Sequence, residues 1–227
     1  NNEILAALGL FASVYLAIGV GHALQGPRRK WRPRIVLLAL ALGFTAAAQI
    51  AAFELALLLI VIFLAWVAEG RRAYIPTLLI VWVLGGLLLL FASYAFSPDA
   101  FSYVFRSAAG RIWVSGNGAE WFFRNPGNAA FGIALAGALA LYAATRRSRY
   151  FGNTTPLIVG ALLMVLMTTG VASEPWLWAL PFLVAFAGGV YADALETRQR
   201  KVFLLATWAV VVAQAALCWA SLPGLVG

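Results

Sequence analysis

The sequence predicts an all-α membrane protein, a polytopic bundle of about eight transmembrane helices with one further helix in the outer interface. Of 227 residues, 63% are hydrophobic and only 11% are charged, whereas a soluble domain carries about 25% charged residues. The apolar residues form long runs, most of them close to the roughly 20 residues that a membrane-crossing helix needs. Short clusters of Lys and Arg separate these runs, as they do in the loops of membrane proteins.

The basic balance and the scarcity of metal-binding residues exclude several classes of function. A net charge of +8 would fit nucleic acid, but basic residues confined to loops between apolar runs favour a membrane and predict no nucleic-acid partner. Cys218 is the only cysteine and His22 the only histidine, so the chain alone forms no disulfide, thiolate zinc site or bis-histidine haem. We therefore predict no metal and no cofactor, and we interpret His22 as an interfacial residue.

The predicted spans follow the apolar runs in order. Two short spans share the largely apolar stretch 35–69, which is much too long for one crossing. Gln49 and Glu54 lie near its middle, and an ionised carboxylate in lipid costs several kcal/mol. A turn at about Gln49 to Glu54 would place that carboxylate at the far interface. The other six spans cover residues 4–24, 74–94, 127–145, 155–171, 175–191 and 202–222.

The distribution of Lys and Arg tests the number of spans, because these residues concentrate in cytoplasmic loops. With eight spans and both termini outside, 13 basic residues lie inside and 3 outside, whereas a seven-span alternative divides them 8 and 8. The asymmetry favours eight spans. The inner set is Arg28, Arg29, Lys30, Arg32, Arg34, Arg71, Arg72, Arg146, Arg147, Arg149, Arg198, Arg200 and Lys201, and the outer set is Arg106, Arg111 and Arg124.

One long connection, 97–128, interrupts the otherwise single transmembrane domain, 1–227, and lies on the predicted outer side. Ser97 is a suitable cap for a helix that continues through Pro98 and Asp99, and Gly110 is a plausible end. Apolar residues recur at helical spacing on one face of this segment, opposite Ser102 and Arg106. This pattern predicts a helix lying in the plane of the interface.

The outer-face polar residues are the candidate binding residues. Guanidinium groups bind phosphate oxygens in a bidentate manner, so Arg106, Arg111 and Arg124 could contact an anionic lipid or a lipid-linked phosphate. The alternative is that they are ordinary solvated loop charges. Glu54 is a functional candidate because ionisable groups within membranes are rare, although at the interface it could simply cap the third helix. No set of residues forms a recognisable catalytic constellation.

The order of segments resembles a known family. A span that starts outside at Asn2-Glu3 and a basic inner loop precede the segment Ala41-Leu42-Gly43-Phe44-Thr45-Ala46-Ala47-Ala48-Gln49 and its outer turn. Arg71-Arg72 and a further span follow, and Glu174-Pro175-Trp176 begins a late inward-going helix. This arrangement resembles the C-terminal membrane half of the GT-C superfamily, polytopic glycosyltransferases of the bacterial inner membrane.

The resemblance implies a protein that handles a polyprenyl-phosphate sugar at the outer face. The acidic catalytic residue of the family lies in an outer loop that would precede Asn1, and the single acids Asp99 and Glu120 do not replace it. We therefore expect a fragment of a longer transferase or a non-catalytic relative. The alternative function is a non-catalytic subunit or scaffold of a larger membrane complex. A transporter is a third possibility, but no convincing internal repeat supports it.

Overall fold

A computed structural model describes residues 2–26, 31–67, 72–109, 126–168, 176–196 and 200–221. These residues form nine α-helices and two short 3₁₀ turns, with no β-strand among them. The all-α prediction is therefore confirmed for the described residues. The helices are α1 (Asn2–Gln25), α2 (Trp31–Ala48), α3 (Ile50–Val67), α4 (Ile75–Ser93), α5 (Pro98–Ala109), α6 (Pro126–Ala144), α7 (Phe151–Thr168), α8 (Trp176–Glu196) and α9 (Arg200–Ser221).

Six of the described helices are long and apolar enough to cross a membrane, namely α1, α2, α4, α6, α8 and α9. Two shorter apolar helices, Ile50–Ala65 within α3 and Phe151–Met164 within α7, accompany them. Their exposed surface is largely apolar, which is how a helix bundle meets lipid rather than water. The chain is therefore a membrane-embedded helical protein. The helices divide into two compact units, 1–114 and 115–227.

In the first unit, small residues bring α1 and α2 together. A Cβ atom at Gly9 would lie 2.5 Å from the Thr45 hydroxyl oxygen, so only glycine permits this approach. Ser13 and Thr45 share a buried hydrogen bond of 3.3 Å, and the Arg34 side chain donates to the Gly19 carbonyl at 2.7 Å. These contacts link the late part of each helix to the early part of the other, so α1 and α2 are antiparallel.

Helices α2 and α4 run in the same direction. The Trp31 and Tyr74 rings meet at 5.5 Å, Trp82 donates to the Ile35 carbonyl at 3.3 Å, and Gly85 lies against Ala39. Both members of each pair advance together along the chain. A continuous helix through α2 and α3 would be about 54 Å long, and the residues between α3 and Tyr74 could not span that distance on the return. Helix α3 must therefore turn back beside α2.

The reversal is tighter than the sequence predicted. Helix α2 ends at Ala48 and α3 begins at Ile50, and the Phe53 N–H already donates to the Gln49 carbonyl at 3.2 Å. Only Gln49 interrupts the helices, so Glu54 lies within α3 and not in a turn. The predicted turn to Glu54 was too long because unpaired backbone groups are costly in an apolar environment, which favours helix up to the point of reversal.

The second unit is built around α6 and α8. Its core contains Ala138, Leu141, Phe186, Ala187, Val190 and Ala194. Helix α7 packs antiparallel on α8, with Gly160 against Leu183 and Asn153 beside Asp193. Helix α9 packs antiparallel on α6, because the Gln214 amide donates to the Ala130 carbonyl at 2.9 Å and Gly137 lies against Val210.

Candidate functional site

The predicted outer-face residues lie partly outside the described structure. Glu54 and Arg106 are both described and both exposed, whereas Arg111 and Arg124 fall outside the described residues, as does the middle of the connection 97–128. Glu54 and Arg106 belong to the first unit, but no hydrogen bond or ion pair joins them in the described part of the chain. Glu54 and Arg106 therefore do not form one site within the described part of the chain.

Helix α5 carries Arg106 and begins as the sequence predicted. The Ser97 hydroxyl accepts a hydrogen bond of 3.4 Å from the Ala100 N–H, which is the geometry of a helix N-cap. Phe101 is half-buried and its ring contacts that of Phe91 on α4 at 5.3 Å. Ser102 and Arg106 are exposed. The predicted helix is thus present, packed beside α3 and α4, while its position in the membrane interface stays a prediction.

A tight turn sets the direction in which α5 leaves α4. The Phe96 N–H donates to the Phe91 carbonyl and the Ala95 N–H to the Ala92 carbonyl, which are the two bonds of a Schellman motif. Ala95 has a φ of 50° and Phe96 a φ of 59°, in the left-handed region that normally favours glycine. The Phe96 and Phe91 rings meet edge to face at 5.4 Å, so an aromatic contact holds the strained turn.

Glu54 does not cap α3 in the described structure. It stands four residues after Ile50, the first residue of the helix, and it makes no hydrogen bond to the first N–H groups of α3 in the described part of the chain. Gln49 occupies the cap position instead, and its side-chain Oε1 is buried without a hydrogen-bond partner among the described residues. The capping interpretation of Glu54 is therefore wrong for this structure.

A second polar cluster lies in the second unit, at residues that the sequence analysis did not single out. Asn153 is 2% exposed and donates to the Asp193 carboxylate at 2.6 Å and to the Ser148 carbonyl at 3.2 Å. Nearby, Thr145 and Ser148 share a buried hydrogen bond of 2.7 Å. Sequence reasoning missed this cluster because Asn153 and Asp193 are 40 residues apart in the chain and no member is unusual by itself.

Exposed contacts continue this cluster towards the surface. Arg147 and Glu196 form an ion pair at 3.1 Å between largely exposed side chains, and Arg149 donates to the Tyr142 and Ala143 carbonyls at the end of α6. The Tyr142 and Thr154 hydroxyls share a hydrogen bond of 2.9 Å. These bonds satisfy helix-terminal carbonyls and tie α6, α7 and α8 together, so the cluster has a sufficient structural explanation.

Among the described residues, no group of three or more His, Cys, Asp or Glu side chains could hold a metal ion. His22 is exposed near the end of α1, and its interpretation as an interfacial residue stays a prediction. No family model, curated protein or solved structure matches the chain. The GT-C resemblance thus rests on the order of segments alone.

Proposed function

We propose that this chain is an eight-span protein of the bacterial inner membrane, with both termini outside, that handles a lipid-linked sugar phosphate at the outer face in the manner of a GT-C protein. Because this sequence contains no counterpart of the family's catalytic acid, we propose binding of the ligand and assign no catalytic step. Membrane lipids and a polyprenyl-phosphate sugar are its proposed ligands.

The eight-span topology is supported by the helix reversal at Gln49. Six helices qualify as spans by length and composition, and two shorter apolar helices lie within α3 and α7. Because α2 and α4 are parallel, α3 has to cross back between them, and 18 residues of helix extend for about 27 Å. This length is close to the roughly 30 Å hydrocarbon core.

The positions of the charges support the proposed sides. In the first unit, Arg32 and Arg34 lie at the end where Trp31 meets Tyr74, and Arg106 lies on α5 beyond the other end of α4. In the second unit, Arg146, Arg147, Arg149 and Lys201 lie where α6 ends and α9 begins. Each unit thus has one basic end, which becomes the cytoplasmic end under the positive-inside rule.

The observation that carries the ligand proposal is the exposed Arg106 on a helix anchored by the Phe91–Phe101 contact. At headgroup depth such an arginine would bind a phosphate, since its planar donors match phosphate oxygens. Arg111 and Arg124 follow in the same connection and would add donors to the same ligand. Glu54 would offer a hydrogen-bond acceptor to sugar hydroxyl groups.

Binding to defined membranes tests this proposal. The purified chain is reconstituted in nanodiscs of phosphatidylcholine with or without a polyprenyl phosphate, and bound polyprenyl phosphate is measured by native mass spectrometry. We expect preferential binding that the triple change Arg106→Gln, Arg111→Gln and Arg124→Gln reduces at least tenfold, which corresponds to about 1.4 kcal/mol.

A matched triple variant at the basic ends supplies the control. Arg32, Arg146 and Lys201 are exposed, and their replacement by Gln removes the same charge from the predicted cytoplasmic face. Binding should survive in this control. Equal binding by the outer-face variant and the wild type would contradict the proposed role of the arginines.

A further inference from the structure

A polar patch lies on the exposed surface of the first unit, where α1 ends and α2 begins. The Trp31 indole donates to the Gly26 carbonyl at 3.3 Å, so the two helix ends lie at one level. The exposed Arg34 side chain of α2 donates to the Gly19 carbonyl of α1 at 2.7 Å. The Arg34 guanidinium group therefore lies against α1, on the surface that the two helices share.

His22 of α1 belongs to the same patch. It is exposed and follows Gly19 by three residues, on the same side of the helix. In an α-helix the Gly19 carbonyl points towards the N–H four residues later, so Arg34 reaches α1 at the level of His22. Each of the two side chains stands three residues from its helix end, which is about 4.5 Å along the axis. Arg34 and His22 are thus neighbouring hydrogen-bond donors at one depth.

An open apolar surface adjoins these donors. No described atom lies within 4 Å of the position that a Cβ atom would take at Gly19. Tyr15, one turn earlier on the same side of α1, is 38% exposed, and Leu37, one turn after Arg34 on α2, is 50% exposed. Polar donors beside exposed apolar side chains suit a lipid, because its head group accepts hydrogen bonds and its chains pack on apolar residues.

The charge around the patch is positive and calls for an anionic partner. The described acids of the first unit are Glu3, Glu54 and Asp99, and all three lie towards the opposite ends of the helices. In the sequence around this end, seven basic residues stand against one acid. The seven are Arg28, Arg29, Lys30, Arg32, Arg34, Arg71 and Arg72, and the acid is Glu69. In the second unit, by contrast, Arg147 is already paired with Glu196 at 3.1 Å.

We propose that this patch binds an anionic phospholipid, with Arg34 and His22 donating to its phosphate and an acyl chain lying beside Gly19. Guanidinium donors match phosphate oxygens, and histidine donates at least one ring N–H in either protonation state. Helices α1 and α2 are both long and apolar enough to cross a membrane, so donors one turn inside their ends lie close to the head groups. Basic pockets between such helices are typical sites for anionic head groups.

This phospholipid site is independent of the proposed polyprenyl-phosphate site. It uses neither Glu54 nor the three arginines of the outer-face set. It is tested without a polyprenyl lipid, in membranes whose two leaflets have the same composition, so the result does not depend on the sidedness of the chain. The outer-face triple variant should retain phospholipid binding, and either proposal can fail while the other holds.

Lipid binding in nanodiscs tests the two donors. The purified chain is reconstituted in phosphatidylcholine with a graded fraction of phosphatidylglycerol, and the phosphatidylglycerol retained by the chain is counted by native mass spectrometry. We expect Arg34→Gln to raise the apparent dissociation constant at least about tenfold, because a hydrogen bond to a charged group is lost, and His22→Phe to raise it about threefold. Arg147→Gln removes an exposed charge that is already paired and should bind like the wild type.

Two glycine variants test the position of the acyl chain. Gly19→Leu fills the open space and keeps both donors, so it should weaken binding at least about tenfold, the effect expected of Arg34→Gln. Its thermal unfolding in phosphatidylcholine alone should not occur earlier, since leucine is a better helix former than glycine. Gly188→Leu is the matched control, because a Cβ atom there also meets no described atom within 4 Å. It lies in the second unit and should leave binding unchanged.

Four results would overturn the phospholipid site. The wild type could retain phosphatidylglycerol only in proportion to its fraction in the disc. Arg34→Gln or Gly19→Leu could bind like the wild type. Arg147→Gln could weaken binding as much as Arg34→Gln, which would show a general attraction to basic ends. Finally, excess inorganic phosphate could displace the lipid, which would show a site for a free anion.

Discussion

At the scale of single residues, one position in this bundle carries backbone strain. Ala95 adopts a left-handed conformation in the turn between α4 and α5, which costs a residue with a side chain about 1–2 kcal/mol. Replacing Ala95 by Gly removes that cost but adds backbone entropy to the unfolded chain. We predict a net stabilisation of about 0.5–1 kcal/mol, measured by unfolding in mixed detergent micelles.

Ala92 provides the comparison for this turn. It lies in the last part of α4, within regular helix, so Ala92→Gly should destabilise by about 0.5–1 kcal/mol. The two alanine-to-glycine changes are thus expected to have opposite signs although they are three residues apart. Destabilisation by both would indicate that Ala95 is not held in the left-handed region.

At the scale of elements, two adjacent glycines of α8 differ sharply in their surroundings. A Cβ atom at Gly189 would collide with the Asn153 side chain of α7, whereas one at Gly188 would meet nothing within 4 Å. We expect Gly189→Ala to destabilise by about 1–3 kcal/mol through overpacking, and Gly188→Ala to be neutral or slightly stabilising. Thermal unfolding of the two variants in one detergent measures the difference, and equal effects would contradict the α7–α8 packing.

The polar contact between the same helices is a separate test. Asn153→Ala removes the donor that Asp193 uses and leaves that carboxylate and the Ser148 carbonyl without this partner. Removing one member of a buried hydrogen-bonded pair costs about 1–3 kcal/mol. The unfolding free energy of Asn153→Ala should fall by that amount, while Thr155→Ala, at an exposed hydroxyl that bonds within its own helix, should change it by much less.

The elements also show what the sequence could and could not predict. The Ser97 cap and the close packing at Gly86 and Gly189 follow from local rules, because a cap acts within three residues and glycines mark close helix approach. The pairing of Asn153 with Asp193 depends on how α7 meets α8, which no local pattern encodes. At Gly85 and Gly188, by contrast, a Cβ atom would be accommodated, so a glycine by itself does not identify a close approach.

The structure confirms less of what was predicted for the candidate binding residues than of what was predicted for the helices. Exposure of Glu54 and Arg106 agrees with a binding role and equally with solvated charges. Glu54 was expected in a turn, because hydropathy alone does not locate the single residue at which two apolar helices separate. Arg111 and Arg124 lie outside the described residues, so their proposed contact with phosphate rests on residue chemistry and chain order.

For the whole molecule, the proposed topology has eight helices that cross the membrane and leave the basic connections on one side. Labelling with a membrane-impermeant thiol reagent in intact cells tests it most directly, using single cysteines in a background that carries Cys218→Ala. Tyr103, at 72% exposure on α5, reports the proposed outer face when replaced by Cys, and Arg32, Arg146 and Lys201 report the basic ends. This topology predicts that Tyr103→Cys is labelled in intact cells. It predicts that three variants are labelled only after the membrane is permeabilised, namely Arg32→Cys, Arg146→Cys and Lys201→Cys. Labelling of the basic ends in intact cells would contradict the topology.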